Sequence, residues 1–209
     1  NVTYKLQFFS FDWTHSGKSS PVTQHSSMTD VNSLTSANVP DLDGTQDWWY
    51  KNGMPTSSTN INDMASEHNN TLLSMNQAIP APGDGSSSTS PQEVMMIITD
   101  GVVDESISGS RRNRELSATN LTNCTTIKNR GIKIAILYTT YLPESLTGDS
   151  WSQTNVAPYL PNVLPALQKC ASNAADGTPL VYTVSADQSI STALSALFAL
   201  TVQSARLIK

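Results

Sequence analysis

The chain has 209 residues, 38% of them hydrophobic and 14% charged, with a net charge of −5. That length suits one domain with a good core. The acidic balance, with no basic cluster beyond Arg111, Arg112 and Arg114, argues against nucleic-acid binding. No apolar run approaches the roughly 18 residues of a membrane span. The Ser-, Thr- and Asn-rich composition points to an extracellular or periplasmic setting, so any membrane link would run through an amino-terminal anchor absent here.

In chain order, Val2 to Phe11 reads as a strand: Val2, Tyr4, Leu6 and Phe8 alternate with polar residues, and Phe9 and Phe11 continue on the other phase. Residues 12–23 read as a hairpin tip. His15 and His25, in or beside it, read as solvated side chains. Val31, Leu34 and Val39 have near-helical spacing after a Thr29 or Asp30 cap, which predicts a short helix over residues 29–42. Residues 43–60 read as a long loop. Its Trp48, Trp49 and Tyr50 form either a lid over the core edge or a partner contact.

A helix is expected over Ile61 to Ile79, with Met64, His68, Leu72, Met75 and Ile79 on one face. Pro80, Pro82 and Gly83 end it, and Asp84 to Ser90 reads as a flexible connection. Then comes Val94 to Asp104, VMMIITDGVVD. Its unbroken apolar run predicts a central parallel strand with both faces covered. A carboxylate and a glycine at a strand's carboxyl end stand where open α/β sheets place ligands.

Ser106 to Gly109 reads as loop and Arg111 to Arg130 as helix, with Leu116, Leu121, Cys124 and Ile127 turned inward and Gly131 as its stop. Ile132 to Tyr138 is a second buried strand. Residues 139–158 read as a loop containing Trp151. Tyr159 to Ala171 is a helix, Leu180 to Val184 an edge strand, and Ile190 to Ala205 a closing helix capped by Ser185 and Asp187. The alternation predicts an α/β, doubly wound, mostly parallel sheet with helices on both faces. Cys124 and Cys170 either pair, as suits an oxidising compartment, or stay as buried thiols. Sequons stand at Asn1, Asn69, Asn120 and Asn123.

Thr99-Asp100-Gly101-Val102-Val103-Asp104 at the end of an apolar strand resembles the fourth strand of a von Willebrand factor A domain. Cys124 to Pro143, Cys170-Ala171-Ser172, the Pro80 to Val94 stretch and the Ala205 to Lys209 ending resemble the TadG-like proteins of bacterial Tad (Flp) pilus systems. The resemblance implies a non-enzymatic binding or assembly module in the periplasm or at the cell surface. Its partners would be proteins of a pilus or secretion apparatus, met through Trp48, Trp49 and Trp151. It also implies a metal-ion-dependent adhesion site for Mg²⁺ or another hard cation. Asp100 matches one ligand of that site. Ser66 or Thr71 matches the hydroxyl ligand.

The resemblance places a D-x-S-x-S triplet after a first strand. No such triplet is expected anywhere in this chain, the nearest imitation being Asp12-Trp13-Thr14-His15-Ser16. No helix follows it, and it reads as a hairpin. The expectation is therefore a domain lacking its first strand and first helix, the chain being the carboxyl-terminal part of a longer protein. The alternative function is an exported hydrolase joining a serine, His68 and Asp100, which requires His68 within hydrogen-bond reach of both partners.

Overall fold

The computed structural model describes residues 3–11, 20–35, 66–107, 110–185 and 188–206. Asp12, His15, Trp48, Trp49, Tyr50, Met64 and Asp187 lie outside the described residues. So do the imitation triplet and most of the helix expected over 29–42.

The chain opens on a hairpin broken in two. β1 (Lys5–Leu6) pairs antiparallel with β4 (Thr29–Asp30), and β2 (Phe9–Phe11) with β3 (Val22–Gln24). The break falls where the alternation of apolar residues changes phase. There Ser26 Oγ accepts the Phe8 N–H at 3.0 Å, and Phe8 C=O accepts from His25 N–H. The start of the expected 29–42 helix is instead β4 followed by a 3-10 turn, Val31–Ser33. Asp30 does act as a cap, accepting from the Asn32 N–H.

The main sheet is parallel, in the order β5 (Val94–Thr99), β8 (Lys133–Thr139), β9 (Val181–Val184). One face carries α1 (His68–Ala78), α2 (Ala118–Asn129) and α4 (Leu160–Cys170) over Met95, Ile134, Ile136 and Tyr138. The other carries α5 (Ile190–Arg206), whose Ala193 and Leu197 pack on Ala135, Leu137 and Val184. The fold is thus α/β, a three-stranded parallel sheet flanked by helices, of the Rossmann or von Willebrand A kind.

One expectation needs correcting. Among the described residues β8 is the central strand, buried except at its ends, and β5 pairs on one side only. Met95 is buried, but Ile98 is 51% exposed. An unbroken apolar run records apolar surroundings, not the number of paired edges.

A second correction lies between β5 and α2. Residues 106–107 and 110–114 are not a loop running into a helix. They belong to an antiparallel hairpin, β6 (Val103–Ile107) and β7 (Ser110–Arg114). The helix begins only at Ala118, where Ser117 and Asn120 form a reciprocal capping box. Glu105, buried in the hairpin, fixes its position. Its Oε2 accepts the Asn69 N–H in the first turn of α1 at 2.8 Å, and its Oε1 accepts from Asn120 Nδ2 at 3.1 Å.

The far end of α2 is tied to both neighbours. Arg130 donates to the carbonyls of Asn76, Ile79 and Pro80, where α1 ends. Lys128 Nζ donates to the carbonyls of Lys169 and Ala171, where α4 ends. Cations thereby satisfy orphan carbonyls at two helix C-termini. The Cys124–Cys170 disulfide joins α2 to α4 beneath them. Asn120 is wholly buried, so its sequon is closed to a glycan in the folded domain.

Candidate functional site

The carboxyl ends of β5 and β8 form a rim. β5 turns there through Asp100 and Gly101. Asp100 Oδ1 accepts the Val102 N–H at 3.0 Å, and Thr99 Oγ1 accepts the Gly101 N–H at 2.9 Å. Gly101 has φ +73°, and a Cβ there would stand 2.4 Å from Val163 Cγ1 and 2.9 Å from Leu167 Cδ1. Only glycine lets this turn lie flat on α4. Burial raises the Asp100 carboxyl above the ordinary range, opposed by the Val102 N–H and by the nearby His68.

Ser66 comes to this turn through its backbone. Its carbonyl accepts the Asp104 N–H at 3.2 Å and the His68 N–H at 3.0 Å. Its hydroxyl makes no hydrogen bond among the described residues. Thr71, the other candidate, donates its Oγ1–H to the Glu67 carbonyl at 2.6 Å within α1. The sequence favours Ser66 on spacing, with Thr71 as the alternative.

His68 is buried at the start of α1, its ring edge-on to Phe11 at 5.3 Å. Nδ1 lies 3.0 Å from the Ser66 carbonyl, and Nε2 has no hydrogen-bond partner among the described residues. Burial holds its pKa below the ordinary value, countered by the Ser66 carbonyl and by Asp100. Among the described residues the imidazole therefore bonds neither a serine hydroxyl nor a carboxylate, and no Ser–His–Asp arrangement is formed among them.

No three His, Cys, Asp or Glu side chains gather as a metal-holding group among the described residues. Asp100 and Ser66 offer one carboxylate and one hydroxyl. That set is short of a cage for Mg²⁺, which demands near-octahedral oxygen ligation.

The chain does contain one literal D-x-S-x-S string, Asp84-Gly85-Ser86-Ser87-Ser88, inside the stretch read as a flexible connection. Here it builds a closed turn. Asp84 Oδ1 accepts from Ser86 N–H at 2.9 Å, Ser86 Oγ at 2.6 Å and Ser90 Oγ at 2.9 Å. It precedes β5, so it stands at the opposite end of the strand from Asp100, about 20 Å away at ~3.3 Å per residue. It cannot complete a site with Asp100.

The segment after β8 reaches the same rim as Asp100. In place of a plain loop it carries a 3-10 turn at Pro143–Leu146, α3 (Ser150–Asn155) capped by Asp149, and a further turn at Ala157–Tyr159. Leu146 and Val156 are buried and anchor it, while Trp151 is 47% exposed. Arg114 lies 4.4 Å from the centroid of the Tyr159 ring, tying this segment to the β6–β7 hairpin. Alternation of apolar residues could not reveal an element held by two buried side chains and one cap.

No family model matches the chain, and no curated protein does. Among solved structures it is similar to the pilus adhesin SpaC from Lactobacillus rhamnosus GG in its open conformation, with TM-score 0.45 and 12% identity. A second form of that adhesin gives TM-score 0.46 and 12% identity. Each match covers 96% of this chain and 24% of the adhesin chain. The chain therefore spans about a quarter of those adhesins, and a likeness of this size carries no argument about activity.

Proposed function

We propose that this domain is a non-enzymatic binding module of a surface pilus or Tad-type assembly, working outside the bacterial cytoplasm. Its contact surface is the carboxyl-end rim of the sheet. The observation that carries the reading is the rim itself: a half-buried Asp100 and an exposed Trp151 on a structured segment at the same end of two neighbouring strands. The resemblance of Thr99 to Asp104 and of Cys124 to Pro143 supports the pilus setting, and the disulfide suits an oxidising compartment. A divalent cation belongs to the proposal only as a weak ligand of Asp100 and Ser66. Mg²⁺ gives up its waters reluctantly to so few donors.

The test is binding of the purified domain to surface assemblies isolated from the producing cells. Asp100→Asn and Trp151→Ala should each weaken binding at least ~10-fold, about 1.4 kcal/mol, with the unfolding midpoint unchanged. Deleting residues 147–155 should abolish binding while cooperative unfolding persists. Undiminished binding by all three variants would refute the rim as the contact surface.

A further inference from the structure

The turn before β5 gathers hydroxyls at the surface. From Pro80 to Pro91 the chain reads PAPGDGSSSTSP, with an unbroken run of hydroxyl side chains from Ser86 to Ser90. The base of the turn is fixed. Gly83 N–H donates to the Pro91 carbonyl at 2.6 Å, and Gly85 N–H to the Ser90 carbonyl at 2.8 Å. A Cβ on Gly83 would stand 2.3 Å from the Ser90 carbonyl carbon, so the two arms lie in close contact. Ser90 N–H donates to the Ser87 carbonyl at 3.1 Å, which leaves Ser88 and Thr89 at the apex. Asp84 to Thr89 are all exposed.

The hydroxyls of this turn are not equivalent. Those of Ser86 and Ser90 donate to Asp84 Oδ1 at 2.6 and 2.9 Å. Ser87 and Thr89 share one hydrogen bond of 3.1 Å between their side-chain oxygens. Ser88 Oγ makes no hydrogen bond among the described residues, and its side chain is exposed. Exposed hydroxyls on α2 differ: Thr122, Thr125 and Thr126 each donate to a carbonyl one helical turn back. The sequon amides in the described residues are also engaged. Asn120 is wholly buried, and Asn123 Nδ2 donates to Asn69 Oδ1 at 2.8 Å.

We infer that Ser88 is an O-glycosylation site, the principal sugar acceptor at the apex of a presented Ser/Thr turn. Ser/Thr-rich segments with proline need not pack into a core, and O-linked sugars are a recurrent use of them. Exposed loop tips of small polar residues are also where outside enzymes gain access to a folded chain. The donor is a glycosyl diphosphate on a membrane carrier. Ser88 Oγ bonds to the anomeric carbon as that carbon's bond to the diphosphate oxygen breaks. The Oγ proton passes to the transferase's base, the diphosphate leaves with the electron pair, and nothing is oxidised or reduced. The choice of a sugar over a phosphoryl donor rests on the extracytoplasmic setting proposed above. The Cys124–Cys170 disulfide suits an oxidising compartment, away from the cytoplasmic nucleoside triphosphates. The turn precedes Val94, at the end of β5 opposite Asp100, so a glycan on it leaves the proposed contact rim clear.

The test is the intact mass of the protein purified from its producing cells, beside the same chain made in a host without such transferases. The first should be heavier by whole sugar residues, and electron-transfer fragmentation should place them on Ser88. Ser88→Ala should lose the increment with an unchanged urea midpoint. Ser86→Ala, which removes a bond to Asp84 but keeps the acceptor, should retain it. Asp100→Asn and Trp151→Ala should retain it as well, so the rim and the sugar can fail separately. An unmodified protein from the producing cells would overturn the inference. So would sugar on any other residue with none on Ser88. A phosphoryl increment on Ser88 would overturn both the inference and the extracytoplasmic setting.

Discussion

The Asn69 backbone N–H donates to Glu105 Oε2 across 2.8 Å, joining the first turn of α1 to a carboxylate buried in the β6–β7 hairpin. The same carboxylate accepts from Asn120 Nδ2, whose own Oδ1 accepts from the Ser117 N–H and hydroxyl at 2.6 Å each. One side chain thus holds two helix starts and the hairpin in a single arrangement. Removing it leaves buried donors unpaired. Glu105→Ala should lower stability by about 3 kcal/mol, read as a fall in the urea midpoint. It should also loosen the Ser66 contact to the Asp104 N–H, seen as faster exchange of that amide.

Gly101 offers a cleaner test of packing at the rim. Alanine there must place a Cβ 2.4 Å from Val163 Cγ1 while keeping a left-handed backbone. Gly101→Ala should cost roughly 2–4 kcal/mol, combining overpacking with backbone strain. Val163→Ala in the same chain should recover part of the loss. A double-mutant cycle by chemical denaturation gives the coupling, expected to be at least about 0.5 kcal/mol.

The Cys124–Cys170 bridge closes a loop with a sequence separation of 46. On the chain-entropy account, a loop of that size contributes up to about 4 kcal/mol by restricting the unfolded chain. Replacing both cysteines with alanine should lower the unfolding midpoint accordingly, and reduction of the native protein should lower it similarly.

Asp84 should titrate well below the ordinary carboxylate range. Hydrogen bonds from the Ser86 hydroxyl and N–H and the Ser90 hydroxyl pull its pKa down to about 2. A lowered folded pKa stabilises the turn above the unfolded value near 3.8, and that contribution is lost as pH falls through about 2. A carboxyl-carbon NMR titration should show this low midpoint. Ser86→Ala should shift it upward more than Ser90→Ala.

Read alone, the sequence established the α/β class, the β5 and β8 strands, the closing helix and the acidic turn at Asp100, because burial writes itself as apolar periodicity. It left the disulfide between Cys124 and Cys170 open. A contact far apart in the chain settled it: the disulfide joins two helices. The β6–β7 hairpin escaped notice because backbone ladders and one buried glutamate hold it, and neither leaves a pattern of apolar residues. The edge position of β5 is likewise a tertiary fact. A strand's side chains report what covers its faces, whereas its unpaired amides are identical in every residue and carry no sequence signal.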